Sequence, residues 1–164
     1  MALTLNHFTI RTTDIEATRH FYTDVLGLTV GPRPAFPFPG LWIYRGDHAD
    51  AANAVVHVIY LDGSDIQGLQ EYLGNAKNAG TSTGTSTGTG AVDHIAFFAD
   101  GLDAMLARFA TLYVQFEERT VPSIGLHQLF LNDPNGVKIE LNYPAAEQTA
   151  RLALESQTAA KAAA

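Results

Sequence analysis

The feature that most constrains this chain is that its N-terminal pattern occurs twice. Asn6-His7-Phe8-Thr9-Ile10 returns 87 residues later as Asp93-His94-Ile95-Ala96-Phe97. The same offset sets Thr13 on Asp100, Ile15 on Leu102, Tyr22 on Phe109 and Val25 on Leu112. In each copy an alternating segment predicts a strand and apolar residues at helical spacing predict a helix after it. The first strand spans residues 3–12, with Phe8 and Ile10 on one face and His7 and Thr9 on the other. Thr13-Asp14-Ile15-Glu16 then has the form of a capping box, Thr13 as the cap and Glu16 reaching back, and Gly27 supplies the stop. Further strands are expected at 41–45 and 54–61 in the first half, and at 114–121, 126–132 and 137–142 in the second. Asp133-Pro134-Asn135-Gly136 marks the turn before the last of them. Each half reads strand, helix, three strands. A single βαβββ unit leaves its sheet half covered, so the repeat predicts an α+β fold in which two such modules pair to share a core.

The remaining segments divide the chain. Pro32, Pro34, Pro37 and Pro39 exclude regular structure over residues 31–40. A short helix is expected near 66–73, and the Gly/Thr/Ser run at 80–90 has nothing to bury and reads as a flexible connector. The expected boundaries are therefore a first module at 1–62, a connector at 63–90, a second module at 91–143 and an alanine-rich helix at 144–164. Leu152 and Leu154 give that helix only a thin apolar stripe, which suits a peripheral or subunit-contacting position.

Composition removes several classes of function. With no cysteine, disulfide frameworks, thiol catalysis and cysteine-ligated metals are excluded. A net charge of −7 opposes nucleic acid binding, which rests on cations neutralising phosphates. The most apolar stretch, residues 54–61, falls far short of the ~20 residues a membrane-spanning helix requires. No basic segment followed by an apolar one opens the chain, so a cytoplasmic domain without membrane partners is expected.

Four polar residues stand at matching places. Strand alternation turns His7 away from Phe8 and Ile10, His57 from Val56 and Val58, His94 from Ile95 and Phe97, and Glu140 from Ile139 and Leu141. The first and last strands of each half thus carry one imidazole or carboxylate each, on the face turned from the helix, at spacings of 50 and 46 residues. Each alone reads as a polar residue on a solvated face; all four in register do not. Imidazole and carboxylate suit Zn, Ni, Mn and Fe(II), and two histidines with one carboxylate leave positions open for a substrate.

Paired βαβββ units, a histidine at each first strand, Phe21-Tyr22-Thr23-Asp24-Val25-Leu26-Gly27-Leu28 and the closing Asp133-Pro134-Asn135-Gly136-Val137-Lys138-Ile139-Glu140 resemble the vicinal oxygen chelate superfamily. That group holds glyoxalases, extradiol ring-cleaving dioxygenases, fosfomycin-resistance transferases and bleomycin-resistance proteins, and the resemblance covers about residues 3–143. It implies a cupped mixed β-sheet with the helices on its outer face, each cup being built from two modules of one chain or of two. It also implies His7, His94 and Glu140 as metal ligands. His57 falls where glyoxalases place a fourth ligand and where extradiol dioxygenases keep an acid/base histidine. Phe130 stands where the ring-cleaving enzymes have a tyrosine and glyoxalase-like members a phenylalanine. If Phe130 faces the cup, so does Gln128, as a substrate contact, while His127 faces away.

The expected function is that of a metal-dependent enzyme chelating two vicinal oxygens of a small molecule. His57 as the base leans this to ring-cleaving dioxygenase chemistry on Fe(II), with Zn, Ni or Mn as other candidates. A glyoxalase-type lyase or isomerase is the alternative, and a bleomycin-resistance-type binder without catalysis the third. Cups shared between chains imply a homodimer.

Overall fold

The computed structural model describes residues 5–61 and 92–162, and the chain divides into two compact units, Met1–Thr85 and Ser86–Ala164. The expected helix at 66–73 and the Gly/Thr/Ser run lie outside the described residues.

In the first unit, β1 (Phe8–Thr12) leads into α1 (Ile15–His20), then β2 (Thr29–Gly31), β3 (Gly40–Tyr44) and β4 (Ala54–Tyr60). The sheet order is β1-β4-β3-β2, with β1 parallel to β4 and the remaining pairs antiparallel. Among the described residues, the strand expected from residue 3 pairs from Phe8, opposite Val56, so His7 stands one residue ahead of the ladder. The capping box is corrected by one position. Thr12 Oγ1 accepts the Asp14 N–H at 3.0 Å, and the Asp14 carboxylate then caps the helix by accepting from Ala17 N at 2.9 Å. Glu16 turns outward to Arg19 instead of reaching back. Behind α1 the chain widens into one π-helical turn, Phe21–Val25, with Leu26 N bonded to Phe21 O at 3.0 Å. Phe21, Tyr22 and Val25 of this turn are buried, as are Ile10, Ile43, Val56 and Val58 of the strands, and Tyr22 is fully buried. The short β2 is too brief for alternation to reveal; its register against β3 identifies it.

The second unit repeats the plan: β5 (Ile95–Phe98), α2 (Leu102–Thr111), β6 (Glu117–Val121), β7 (Leu126–Asn132) and β8 (Lys138–Pro144), followed by α3 (Ala145–Ala162). Its sheet order is β5-β8-β7-β6, again with only the first pair parallel. The fold is thus α+β, built from two βαβββ modules with four-stranded mixed sheets. Leu102, Phe109, Leu129, Ile139 and Tyr143 form the core of this unit. Here too the cap differs from the expected one. Gly101, not Asp100, holds the N-cap position at φ 74°, where an L-side chain is strained. The first helical N–H, of Leu102, is taken by Glu147 of α3 at 2.7 Å, a carboxylate set at the positive end of the helix. No residue of α3 is buried. Among the described residues, no helix is long and apolar enough to cross a membrane.

Candidate functional site

The strand registers turn the sequence repeat into a structural one. Thr9 of β1 lies opposite His57 of β4, and Ala96 of β5 lies opposite Glu140 of β8. His7 and His94 each sit two residues ahead, hence on the same face as their unit's second donor. Each unit therefore presents an imidazole and one further donor from neighbouring parallel strands, and the opposite faces carry the core.

The side chain before each histidine is an oxygen acceptor. His7 Nδ1 lies 2.5 Å from Asn6 Oδ1, and His94 Nδ1 lies 2.9 Å from Asp93 Oδ2. An amide or carboxylate oxygen accepts, so both contacts fit the tautomer with the proton on Nδ1 and the lone pair on Nε2. Asp93 is pinned in turn by Lys138 Nζ at 3.0 Å, and the His94 and Lys138 contacts hold its carboxyl below the usual range. This signal was legible, since Asn6 and Asp93 are related by the same offset, yet neither was singled out.

In the first unit, the His57 ring is sandwiched. His7 stacks on one side at 3.7 Å between centroids and 21°, and Trp42, its partner across the β3–β4 ladder, at 4.1 Å and 6°. Burial, and then the neighbouring His7, push the His57 pKa from 6.5 down to about 4, against a backbone hydrogen bond with Ala54 that raises it. The ring is a neutral imidazole at neutral pH. His7, His57 and Trp42 line a cavity of ≈ 450 Å³ that the proline-rich loop walls with Arg33, Phe36 and Phe38.

In the second unit, His94 Nε2 lies 2.9 Å from Glu140 Oε2. With Asp93 on the other nitrogen, acceptor oxygens face both sides of the ring. Glu140 is 5% exposed and does not lie on a solvated face. Its Oε1 accepts from Gln128 Nε2 at 2.7 Å, while the same amide donates to Asn142 Oδ1 at 2.9 Å and accepts from Arg119 Nε at 2.6 Å. Gln128, expected as a substrate contact, is turned onto Glu140. Phe130 stands edge-on to His94 at 6.3 Å and 86°, with the Arg119 guanidinium 4.8 Å over its ring. His127 faces the other way, 1% exposed, between Thr120 and Glu118.

The expected ligands His7, His94 and Glu140 are divided between the units, two of the four donor positions in each. Among the described residues, no group of three or more histidine or carboxylate side chains is itself placed to hold a metal ion. Arg119, Asn142 and Arg33 escaped the sequence reading because each acts through a neighbouring strand or loop.

The family model described as the Glyoxalase/Bleomycin resistance protein/Dioxygenase superfamily matches residues 4–141. Among solved structures, a glyoxalase family protein from Bacillus anthracis is similar at a TM-score of 0.60 and 15% identity, covering 88% of this chain and 97% of its own. An antibiotic-binding protein from a Streptomyces species is similar at 0.55 and 19%, covering 88% and 98%. A mutant fosfomycin resistance protein from Listeria monocytogenes, complexed with Mn(II) and dihydroxypropylphosphonic acid, gives 0.57 and 15%, covering 91% and 98%. At these identities the likeness is one of fold. No curated protein matches the chain.

Proposed function

This chain belongs to the Glyoxalase/Bleomycin resistance protein/Dioxygenase superfamily, and from that premise we propose that it is a metal-dependent enzyme acting on two vicinal oxygens of a small molecule. The carrying observation is the matched pair of donor sets: Thr9 opposite His57 with His7 ahead, and Ala96 opposite Glu140 with His94 ahead. In this reading His7, His94 and Glu140 are the ligands. A divalent ion held by them supplies Lewis acidity towards the two substrate oxygens. Fe(II) is favoured, as in extradiol ring cleavage, with Zn, Ni or Mn as alternatives. Supporting it, Asn6 and Asp93 each place an acceptor oxygen on Nδ1 of a ligand histidine, and Gln128, itself bonded to Asn142, donates to the Glu140 carboxylate.

His57 is the base in this reading. Its ring is held neutral and buried between His7 and Trp42, so a ring nitrogen is ready to accept a substrate proton without first losing one. Phe130 favours the second reading, a glyoxalase-type lyase or isomerase, because the ring that stands edge-on to His94 is a phenyl and not a phenol. In that case His57 is a fourth ligand. A binder without catalysis is the third reading, and the retained donors speak against it. Two modules completing one site from different chains would make the protein a homodimer.

The test is metal analysis of protein purified without chelator, followed by anaerobic Fe(II) loading and a catechol panel. Stoichiometric metal in the parent and its loss in His94→Ala are expected. A full equivalent of metal retained by His94→Ala would end this assignment.

A further inference from the structure

β6 is an edge strand, and alternation divides its charged residues between two faces. Glu118 and Thr120 turn towards the buried His127, Glu118 Oε2 lying 3.2 Å from Nε2 and Thr120 Oγ1 2.9 Å from Nδ1. Glu117 and Arg119 belong to the opposite face, the one that carries His94 and Glu140. The registers set Arg119 in a row with Gln128 and Asn142 across β6, β7 and β8. Glu117 stands in the next row, with Phe130 and Glu140.

Two contacts fix the Arg119 guanidinium and leave one end of it open. Its Nε donates to Gln128 Oε1 at 2.6 Å, and its Cζ lies 4.8 Å from the Phe130 centroid. Among the described residues neither Nη group has a partner: Glu118 is taken by His127, and Glu117, though on the same face, forms no ion pair with it. A guanidinium held by Nε presents its Nη1–Nη2 end, a planar pair of donors matched to a bidentate oxyanion. It does so at a cavity of ≈ 600 Å³, with His94, Phe116, Phe130 and Lys138 also on the wall. That volume falls within the range for small-molecule sites, about 300–1,000 Å³. Lys138 already faces Asp93 at 3.0 Å, which leaves Arg119 as the cation of that wall without a carboxylate partner among the described residues.

We propose that Arg119 receives an oxyanion, carboxylate or phosphoryl, of a small molecule whose other end lies at His94 and Glu140. The guanidinium and His94 flank the same Phe130 ring, one over its face and the other at right angles to it 6.3 Å away, so one small molecule spans from one to the other. Gln128 joins the two ends, accepting from Arg119 and donating to Glu140 at 2.7 Å, and so sets the guanidinium in a fixed relation to the donor carboxylate. The inference rests on the proposed function for that far end, and narrows its substrate to an organic acid that also bears the vicinal oxygens.

Metal-free, isotope-labelled protein is titrated with phenylacetate, phenylphosphonate and the neutral phenethyl alcohol, following the Arg119 Nε–H and Gln128 side-chain amide signals by NMR. Saturable shifts with an acid are expected, with the alcohol weaker by about tenfold or more, the scale of one charge-assisted pair. The chain's net charge of −7 acts in the opposite direction, so a preference for the acids does not come from its general field. Whichever acid binds more tightly identifies the oxyanion as carboxylate or phosphoryl. Arg119→Gln should remove the preference and leave the alcohol unaffected. Glu117→Gln, which takes a like charge from the same face, should tighten the acids by about two- to threefold. Both residues are exposed, so the variants should keep the parent's fold, and the comparison of acid with alcohol on the unaltered protein needs neither. Equal affinity for acid and alcohol, shifts that bypass Arg119 and Gln128, or an undiminished preference in Arg119→Gln would each overturn the inference. An acid preference in protein that purifies without metal retains it and rejects the metal-dependent reading; stoichiometric metal without that preference does the reverse.

Discussion

Removing the Gln128 amide should destabilise the second unit through Glu140. In Gln128→Leu a side chain of similar size replaces the amide, and two acceptors lose their donor: Glu140 Oε1, now at 2.7 Å, and Asn142 Oδ1, now at 2.9 Å. A hydrogen bond to a charged group contributes about 1.5–3 kcal/mol and a neutral one about 0.5–1.5 kcal/mol. Arg119 is exposed and its Nε–H turns to water, so its bond to Gln128 adds little. The sum is a loss of about 2–4 kcal/mol, which in a chain of this size lowers the melting temperature by roughly 5–15 °C. Urea denaturation of metal-free parent, Gln128→Leu, Glu140→Gln and the double variant closes a cycle. The coupling should be about 1–2 kcal/mol, because Gln128 matters most while Glu140 carries charge. Metal affinity should also fall, by about 10–100-fold, as it does when a residue that orients a ligand is lost. A Gln128→Leu protein within about 0.5 kcal/mol of the parent, or strictly additive variants, would refute the idea that this amide holds the carboxylate.

The other expectations concern His57 and assembly. As a base, His57→Ala should keep its metal and lose turnover by about 10²–10⁴-fold; metal loss reversed in His57→Glu would make it the fourth ligand. Since burial and His7 lower its pKa from 6.5 to about 4, the unfolded chain binds the proton first and the metal-free fold should lose stability as pH falls through that window. The full shift corresponds to about 3 kcal/mol, and solvent screening of the partly exposed ring reduces the effect to about 1–2 kcal/mol. His57→Phe, which keeps the stack, should flatten that part of the pH–stability curve, and an unchanged slope would count against the buried neutral ring. Sedimentation at micromolar concentration should give a dimer with two metal equivalents, and a monomer that binds one equivalent would contradict the shared-cup reading.

Much of the architecture was legible because its signals are local. Strand alternation is a property of each strand alone, so the facing of His7, His57, His94 and Glu140 followed from their immediate neighbours. The 87-residue repeat then required both halves to share one topology. Helix ends were less legible. Thr13 and Asp14 are both good caps, and it is Asp14, its N–H held by the Thr12 hydroxyl, that accepts from Ala17 N. The cap of α2 comes from Glu147, 45 residues away in sequence, beyond any local pattern.

The sequence by itself determined which residues share a face, and so the pairing of one imidazole with a second donor in each module. Tertiary structure alone decided what each of those groups touches. The β3–β4 register sets Trp42 on His57, the β7–β8 register sets Phe130 beside Glu140, and the rotamer of Gln128 spans from Asn142 to that carboxylate. The physical reason is that a strand's period of two is fixed by its own covalent geometry, whereas its lateral neighbours depend on how turns and packing slide one strand against the next.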